Sequence, residues 1–183
     1  MEQCEAALLR RCRTGDKEAF GVIVRSYAGR AVGAASLLLG SHEDAQDASQ
    51  EAFVRAWRHI RRFDPARPFY PWFAAILRNV CVSRLRRRSR LKTARFDDIH
   101  SSAAEQSSPV LLAERNERRD RVWQAILALS PMHREIIVMN HFQGMTYRQM
   151  ADALDVPIGT VMSRLHNARL SLRKELADQE HEL

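Results

Sequence analysis

The stretch from Gly144 to Leu165 leaves this chain few folds to choose from, because it lays out two short amphipathic helices around a tight turn. Thr146 is placed to cap the first helix with its hydroxyl, and Met150, Ala151 and Leu154 fall on one face. Leu154-Asp155-Val156 fits the turn. Pro157 suits the first turn of a following helix, where the N–H it lacks has no intrahelical partner. Gly159 and Thr160 leave small groups at that positive end, a favourable place for a phosphate. Val161, Leu165, Ala168 and Leu172 recur at helical spacing as an inner face. Thr160, Met162, Ser163, Arg164, Asn167 and Arg169 then lie on or beside the outer one, an arrangement that suits a DNA major groove. Arg148, on the first helix of the pair, is a candidate phosphate contact.

Charge is distributed unevenly. The whole chain of 183 residues has a formal net charge of +7 and an isoelectric point near 10.0, compatible with a polyanionic partner. Lys and Arg outnumber Asp and Glu by 17 to 9 over residues 1–90, whereas residues 91–183 carry 12 against 13. The excess therefore belongs to the N-terminal half. Cys4, Cys12 and Cys81 form no CxxC pair, so neither a disulfide framework nor a zinc knuckle is expected. The start of the chain lacks a basic region followed by an apolar run, and no window is expected to reach the ~20 apolar residues of a membrane span. The expected setting is the reducing cytoplasm, without membrane insertion.

Organisation along the chain points to an all-α fold: two small helical domains joined by a flexible linker, with the helix-turn-helix in the C-terminal one. Residues 1–90 are rich in helix formers, and their prolines are confined to Pro65, Pro68 and Pro71. Helices are expected from about Cys4 to Arg13, from about Lys17 with Phe20, Ile23, Val24 and Tyr27 inward, from a Ser41 cap to about Ile60, and from Trp72 to about Arg88. Phe73, Ile76, Leu77, Val80 and Leu85 form the candidate buried row of the last. Residues 91–110 lose the apolar periodicity, and Ser101 to Pro109 has the composition of a tether. Residues 111–183 resume it, with Val122, Trp123, Ile126 and Leu129 inward, a break at Ser130-Pro131, and Ile136, Ile137 and Met139 on a further helix.

Two constellations in the first domain carry chemistry. Asp44, Asp47 and Glu51 share one helical face, since steps of three and four residues are neighbours, while Phe53 and Trp57 share another. Alone, this reads as an amphipathic helix with a solvated acidic side. Farther on, Phe63, Phe69, Trp72 and Phe73 precede Asn79 and then Arg84, Arg86, Arg87, Arg88 and Arg90. Arginines neutralise phosphates and an Asn amide can hydrogen-bond a base edge, a combination suited to a single strand or a melting duplex.

Val156-Pro157-Ile158-Gly159-Thr160-Val161-Met162-Ser163-Arg164-Leu165, followed by Ala168-Arg169 and Leu172-Arg173, resembles the promoter-reading module of bacterial RNA polymerase sigma factors of the extracytoplasmic-function (ECF) type. Asp44-Ala45-Gln46-Asp47 with Gln50-Glu51-Ala52-Phe53 and Trp57 resembles the ECF helix that docks on the polymerase clamp coiled coil. The resemblance covers nearly the whole chain except the linker, and two motifs in order are more specific than either alone. It implies a dissociable specificity subunit: residues 1–90 bind polymerase and recognise and melt the minus-ten element, and residues 111–183 read the minus-thirty-five duplex beside the polymerase flap. Asp44, Asp47, Gln50 and Glu51 would be the polymerase-binding set. Asn79, Arg84, Arg86 and Arg87, with Phe63 and Phe69 in the preceding loop, would hold minus-ten DNA and an extruded base. Arg148, Thr160, Met162, Ser163, Arg164, Asn167 and Arg169 would meet the minus-thirty-five duplex. The pattern departs from the family at Ser83, where relatives often carry Asp, at Met162, where Lys or Arg is frequent, and at Asn167, which replaces a frequent Arg. An anti-sigma protein is an implied partner, and no catalytic residue, metal or cofactor is. An autonomous regulator would explain the C-terminal motif but not the acidic helix followed by Arg84 to Arg90. An enzyme acting on nucleic acid finds no compact His/Cys/Glu set, since His133 and His141 lack matching partners.

Overall fold

The computed structural model describes residues 2–94 and 115–181, which belong to two separate units divided near Ala103. The first unit comprises α1 (Glu2–Arg13), α2 (Lys17–Leu39), α3 (His42–His59), a 3-10 turn over Ile60–Arg62, and α4 (Phe69–Ala94). The second comprises α5 (Arg115–Ala128), α6 (Pro131–Ile137), a π-helical turn over Val138–Phe142, α7 (Tyr147–Leu154) and α8 (Ile158–His181). No strand occurs among the described residues. The tether expected within 91–110 lies largely outside them.

Local chemistry sets the helix ends of the first unit. Asp16 accepts the Ala19 N–H at 3.0 Å to open α2, and its other oxygen meets Arg11 at 2.8 Å. Gly40, at φ 72°, closes α2 in the left-handed conformation that glycine adopts without a Cβ penalty, donating to the Ser36 carbonyl at 2.8 Å. Ser41 at once caps α3, accepting from the Asp44 N–H at 3.2 Å, and Glu43 and Asp44 sit in the first turn where the helix dipole favours them.

Around α2 the other three helices gather. Their contact is aromatic: Phe53 stacks on Phe73 with centroids 4.3 Å apart, Phe69 lies 5.7 Å from Phe73, and Phe20 meets Phe53 edge-on. Glu5 of α1 ties the far end, one carboxylate oxygen accepting the Phe69 N–H at the start of α4 (3.2 Å) and the other the Tyr27 hydroxyl (2.9 Å). Burial, reinforced by that carboxylate, pushes the Tyr27 phenol up to about 12.

Three expectations are corrected here. Lys17–Leu39 is long and apolar enough to cross a membrane by composition, with a mean hydropathy of 1.3 over its most apolar 18-residue window, because it is the central helix of a bundle with neighbours on several faces. The last helix of the unit starts at Phe69 and continues to Ala94, beyond the anticipated span, and Ile76 and Leu85 are only half-buried while Ala74 and Cys81 take core positions. In the second unit Val122 is exposed, because the turn of α5 that carries it uses Ala125 and Ile126 for the core instead.

The second unit otherwise follows its sequence closely. Ser130 accepts the His133 N–H and Pro131 takes the first position of α6. Thr146 and Gln149 form a reciprocal capping box at the start of α7, with N–H to side-chain oxygen distances of 2.8 and 3.3 Å. Asp155 ends α7 at φ 54°, one of the few conformations in which an Asp replaces glycine readily. The Pro157 carbonyl then receives the Thr160 and Val161 N–H groups, starting α8.

Candidate functional site

Ala45, Ala48, Ser49, Ala52, Phe53 and Ala56 face the core from α3, and Asp44, Glu51 and Trp57 flank that buried stripe. Asp47 and Gln50 are exposed; Asp44 and Glu51 are half-buried. The acidic row is real, and it has an internal partner. Arg84, reaching from α4, bonds Glu51 at 3.0 Å, lies 3.8 Å from Asp47, and donates to the Asp44 carbonyl at 3.5 Å. Arg55 holds the other Glu51 oxygen from the next turn. Burial alone would raise the Glu51 carboxyl, but the Arg84 and Arg55 hydrogen bonds outweigh it and hold it below the ordinary value.

That arrangement separates residues which the sequence grouped together. Arg84 turns toward α3, away from the set expected on minus-ten DNA, whereas Arg86 and Arg87 are exposed farther along α4. Asn79 is exposed as well, with its side-chain oxygen accepting from Arg78 at 3.0 Å. Phe63 and Phe69 are a correction: they are 5% and 0% exposed and pack against each other and against Trp72. Neither ring can stack on a base without leaving the core. The loop between them is shaped by Asp64, whose carboxylate accepts the Ala66 N–H at 3.0 Å. Phe53 is buried and Trp57 half-buried beside Phe20, as packing residues.

Cys12 and Cys81 are fully buried, and burial raises both thiols, that of Cys81 to about 12. The reactive thiolate is thereby disfavoured. The Cys4 side chain lies outside the described residues. Among the described residues no group of three or more His, Cys, Asp and Glu side chains is placed to hold a metal. His133 packs through its Nδ1 at 3.1 Å from the Ser171 hydroxyl.

On α8, Val161, Leu165 and Ala168 are buried, while Met162, Ser163, Asn167 and Arg169 are exposed and Thr160 and Arg164 half-exposed. Ser163 donates to the Thr160 carbonyl at 3.0 Å, which orients its hydroxyl along the helix. Arg148 projects from α7 into solvent. The outer surface also bears exposed apolar side chains at Tyr147, Ile158 and Met162. Sequence reasoning passed over Asn140, on the π-helical turn, whose side-chain oxygen accepts from Arg169 at 3.1 Å. Nothing in a linear reading pairs positions 29 apart.

Comparison with known proteins bears on both units. The Sigma-70 region 2 family matches residues 23–91, and the Sigma-70 region 4 family matches residues 119–172. The ECF RNA polymerase sigma-E factor of Escherichia coli is 31% identical over 90% of this chain and 90% of its own length. The ECF RNA polymerase sigma factor SigW of Bacillus subtilis is 29% identical over 97% of this chain and all of its own. Among solved structures, the sigma factor RpoE of Bartonella quintana, crystallised with the anti-sigma factor NepR, matches with a TM-score of 0.67 and 26% identity, covering 86% of this chain and 96% of that one.

Proposed function

Because this chain belongs to the ECF family of RNA polymerase sigma factors and directs the polymerase to promoters, we propose a division of that work between its two units. Residues 1–90 dock on core polymerase and open the minus-ten element, residues 111–183 read the minus-thirty-five duplex, and the stretch between the end of α4 at Ala94 and residue 111 tethers them. The observation that carries the reading is the first unit's pairing of an outward acidic row on α3 with an outward Asn79, Arg86 and Arg87 row on α4. Acidic groups are repelled by the phosphate backbone, and basic ones are drawn to it. One small bundle thus offers faces of opposite sign, one suited to a basic protein surface and one to phosphates.

In this reading Asp47 and Gln50 make the outermost contact with the clamp coiled coil of polymerase, and Asp44 and Glu51 support it at its edge. Asn79 meets an unstacked base, while Arg86 and Arg87 neutralise the adjacent strand. Extruding a base costs a few kcal/mol and requires a group that holds it in the open state. Arg84 leaves the DNA set and becomes the bridge that fixes α4 against α3. Arg148, Thr160, Met162, Ser163, Arg164, Asn167 and Arg169 meet the upstream duplex, with the flap of polymerase holding the unit there. Two weak DNA contacts on one anchored chain gain effective concentration, which a tether provides without any new contact. An anti-sigma protein that covers the polymerase-facing surface would switch the factor off; the Bartonella complex supports that partner class. The place of action is the cytoplasm, where polymerase is.

Run-off transcription with core polymerase on a library of genomic promoters tests the whole reading. Protein-dependent transcripts sharing two upstream elements are expected. Their absence, with no core binding on gel filtration, would replace the proposal with an autonomous DNA-binding regulator. A finer test isolates Asn79. Asn79→Ala is expected to lower open-complex formation by about 10-fold, equivalent to ~1.4 kcal/mol, with holoenzyme assembly unchanged. Equal losses in the two assays would make Asn79 a structural residue.

A further inference from the structure

Asn140 occupies an unusual junction. It sits on the π-helical turn between α6 and α7, a geometry that helices adopt mostly as single turns and frequently at functional sites. Its side-chain Nδ2 points at the Met145 carbonyl (3.4 Å) and at the Met150 sulfur (4.0 Å), and its Oδ1 accepts from Arg169 (3.1 Å). The amide orientation follows from its neighbours, since a carbonyl on one side requires the NH2 group and a guanidinium on the other requires the oxygen. Nearby, the Met145 N–H donates to the Met139 carbonyl at 3.0 Å, and Gly144 at φ 63° allows the chain to turn back there. A single carboxamide therefore joins the turn, the loop before α7, a core residue of α7 and an exposed arginine of α8.

The position of that arginine says what the connection is for. Arg169 lies nine residues beyond Thr160, about 13 Å along the helix at the usual rise. The major groove is about 12 Å wide. Nine residues are also two and a half turns, so Arg169 leaves α8 on the side opposite Thr160. With the N-terminal turn seated in the groove, its guanidinium stands at the height of the rim, within reach of a flanking phosphate and not of a base edge. An arginine side chain loses considerable rotamer freedom when it binds, and prior positioning reduces that loss. A neutral acceptor suits the task better than a carboxylate, because it orients the guanidinium without cancelling its charge. It occupies one of about five N–H donors.

We propose that Asn140 is a positioning residue for DNA recognition, holding Arg169 in the rotamer that clamps a backbone phosphate at the exit of the groove. The assignment rests on the reading that α8 enters the minus-thirty-five duplex. It gives Arg169 a sequence-independent role, so base discrimination falls to residues nearer the start of α8.

Holoenzyme binding to a promoter fragment, measured over a series of salt concentrations, tests it. Asn140→Asp keeps the acceptor for Arg169 and supplies a charge that neutralises it, while giving up the amide donor to the Met145 carbonyl, so circular dichroism first checks that the unit is folded. The slope of log affinity against log salt is then expected to shrink by about 0.9, the value of one phosphate contact, with affinity about 10-fold lower. Asn140→Ala leaves the charge and loses the orientation, so affinity should fall about 3-fold with the slope unchanged. In an Arg169→Gln background, Asn140→Ala should change nothing more. An equal loss from Asn140→Ala in both backgrounds, or an unaltered slope in Asn140→Asp, would overturn the assignment. Wild-type holoenzyme that is indifferent to scrambling of the upstream duplex element would overturn the reading of α8 itself, and this role with it.

Discussion

Phe69→Ala is expected to remove about 3–5 kcal/mol from the stability of the first unit. Phe69 is wholly buried at the start of α4, and its ring lies 5.6 Å from Trp72, 5.7 Å from Phe73 and 5.7 Å from Tyr27. Truncation would leave a cavity among aromatic rings fixed on different helices, so collapse around it is limited. Small domains hold only about 5–15 kcal/mol in total. A large share of the unit's molecules would consequently be unfolded under mild stress. Amide hydrogen exchange across residues 5–90, read in a denaturant series, measures the loss region by region without interference from the other unit. The same experiment decides between two roles for the residue. A Phe69 that serves as a stacking platform for a promoter base would show unaltered exchange and weakened binding to a minus-ten single strand.

Asp47→Arg is expected to weaken binding to core polymerase by about 100-fold, since placing like charges across an interface costs several kcal/mol. Asp47 is the clean site for this test. Its side chain is 65% exposed and stands 3.8 Å from Arg84, a separation at which an exposed ion pair contributes little. Glu51 is the poorer choice, because reversing it would set a third positive charge beside Arg84 and Arg55 and disturb the α3–α4 contact. Competition binding with a labelled wild-type chain gives the affinity, and circular dichroism checks the fold. Full helicity with wild-type affinity would remove Asp47 from the polymerase interface. A loss matched by Asp47→Asn would assign the effect to the missing carboxylate instead of to repulsion.

Legibility in the sequence differed by the range of the interaction involved. The Ser41 cap, the Thr146–Gln149 box and the inner face of α8 depend on neighbours within a few residues, and hydrophobic spacing with cap chemistry was enough to find them. The acidic row of α3 was equally plain, because helical periodicity alone puts Asp44, Asp47 and Glu51 on one side. Val122 shows the limit of periodicity: an apolar residue one position off the buried stripe looks the same in sequence as one on it. The apolar length of α2 shows another, since a helix surrounded by neighbours and a helix surrounded by lipid have similar composition.

What the sequence determined unaided was the all-helical architecture, the helix-turn-helix and the acidic row of α3, all consequences of local spacing and capping. Only the tertiary structure decided the partners of single side chains. It took Phe63 and Phe69 into the core, turned Arg84 onto Glu51 across a gap of 33 positions, brought Glu5 to Phe69 across 64, and joined Asn140 to Arg169. The physical reason is that an aromatic or an arginine beside a helix has two favourable destinations, solvent-facing ligand or neighbouring helix. Which one wins depends on the packing of elements far apart in the chain.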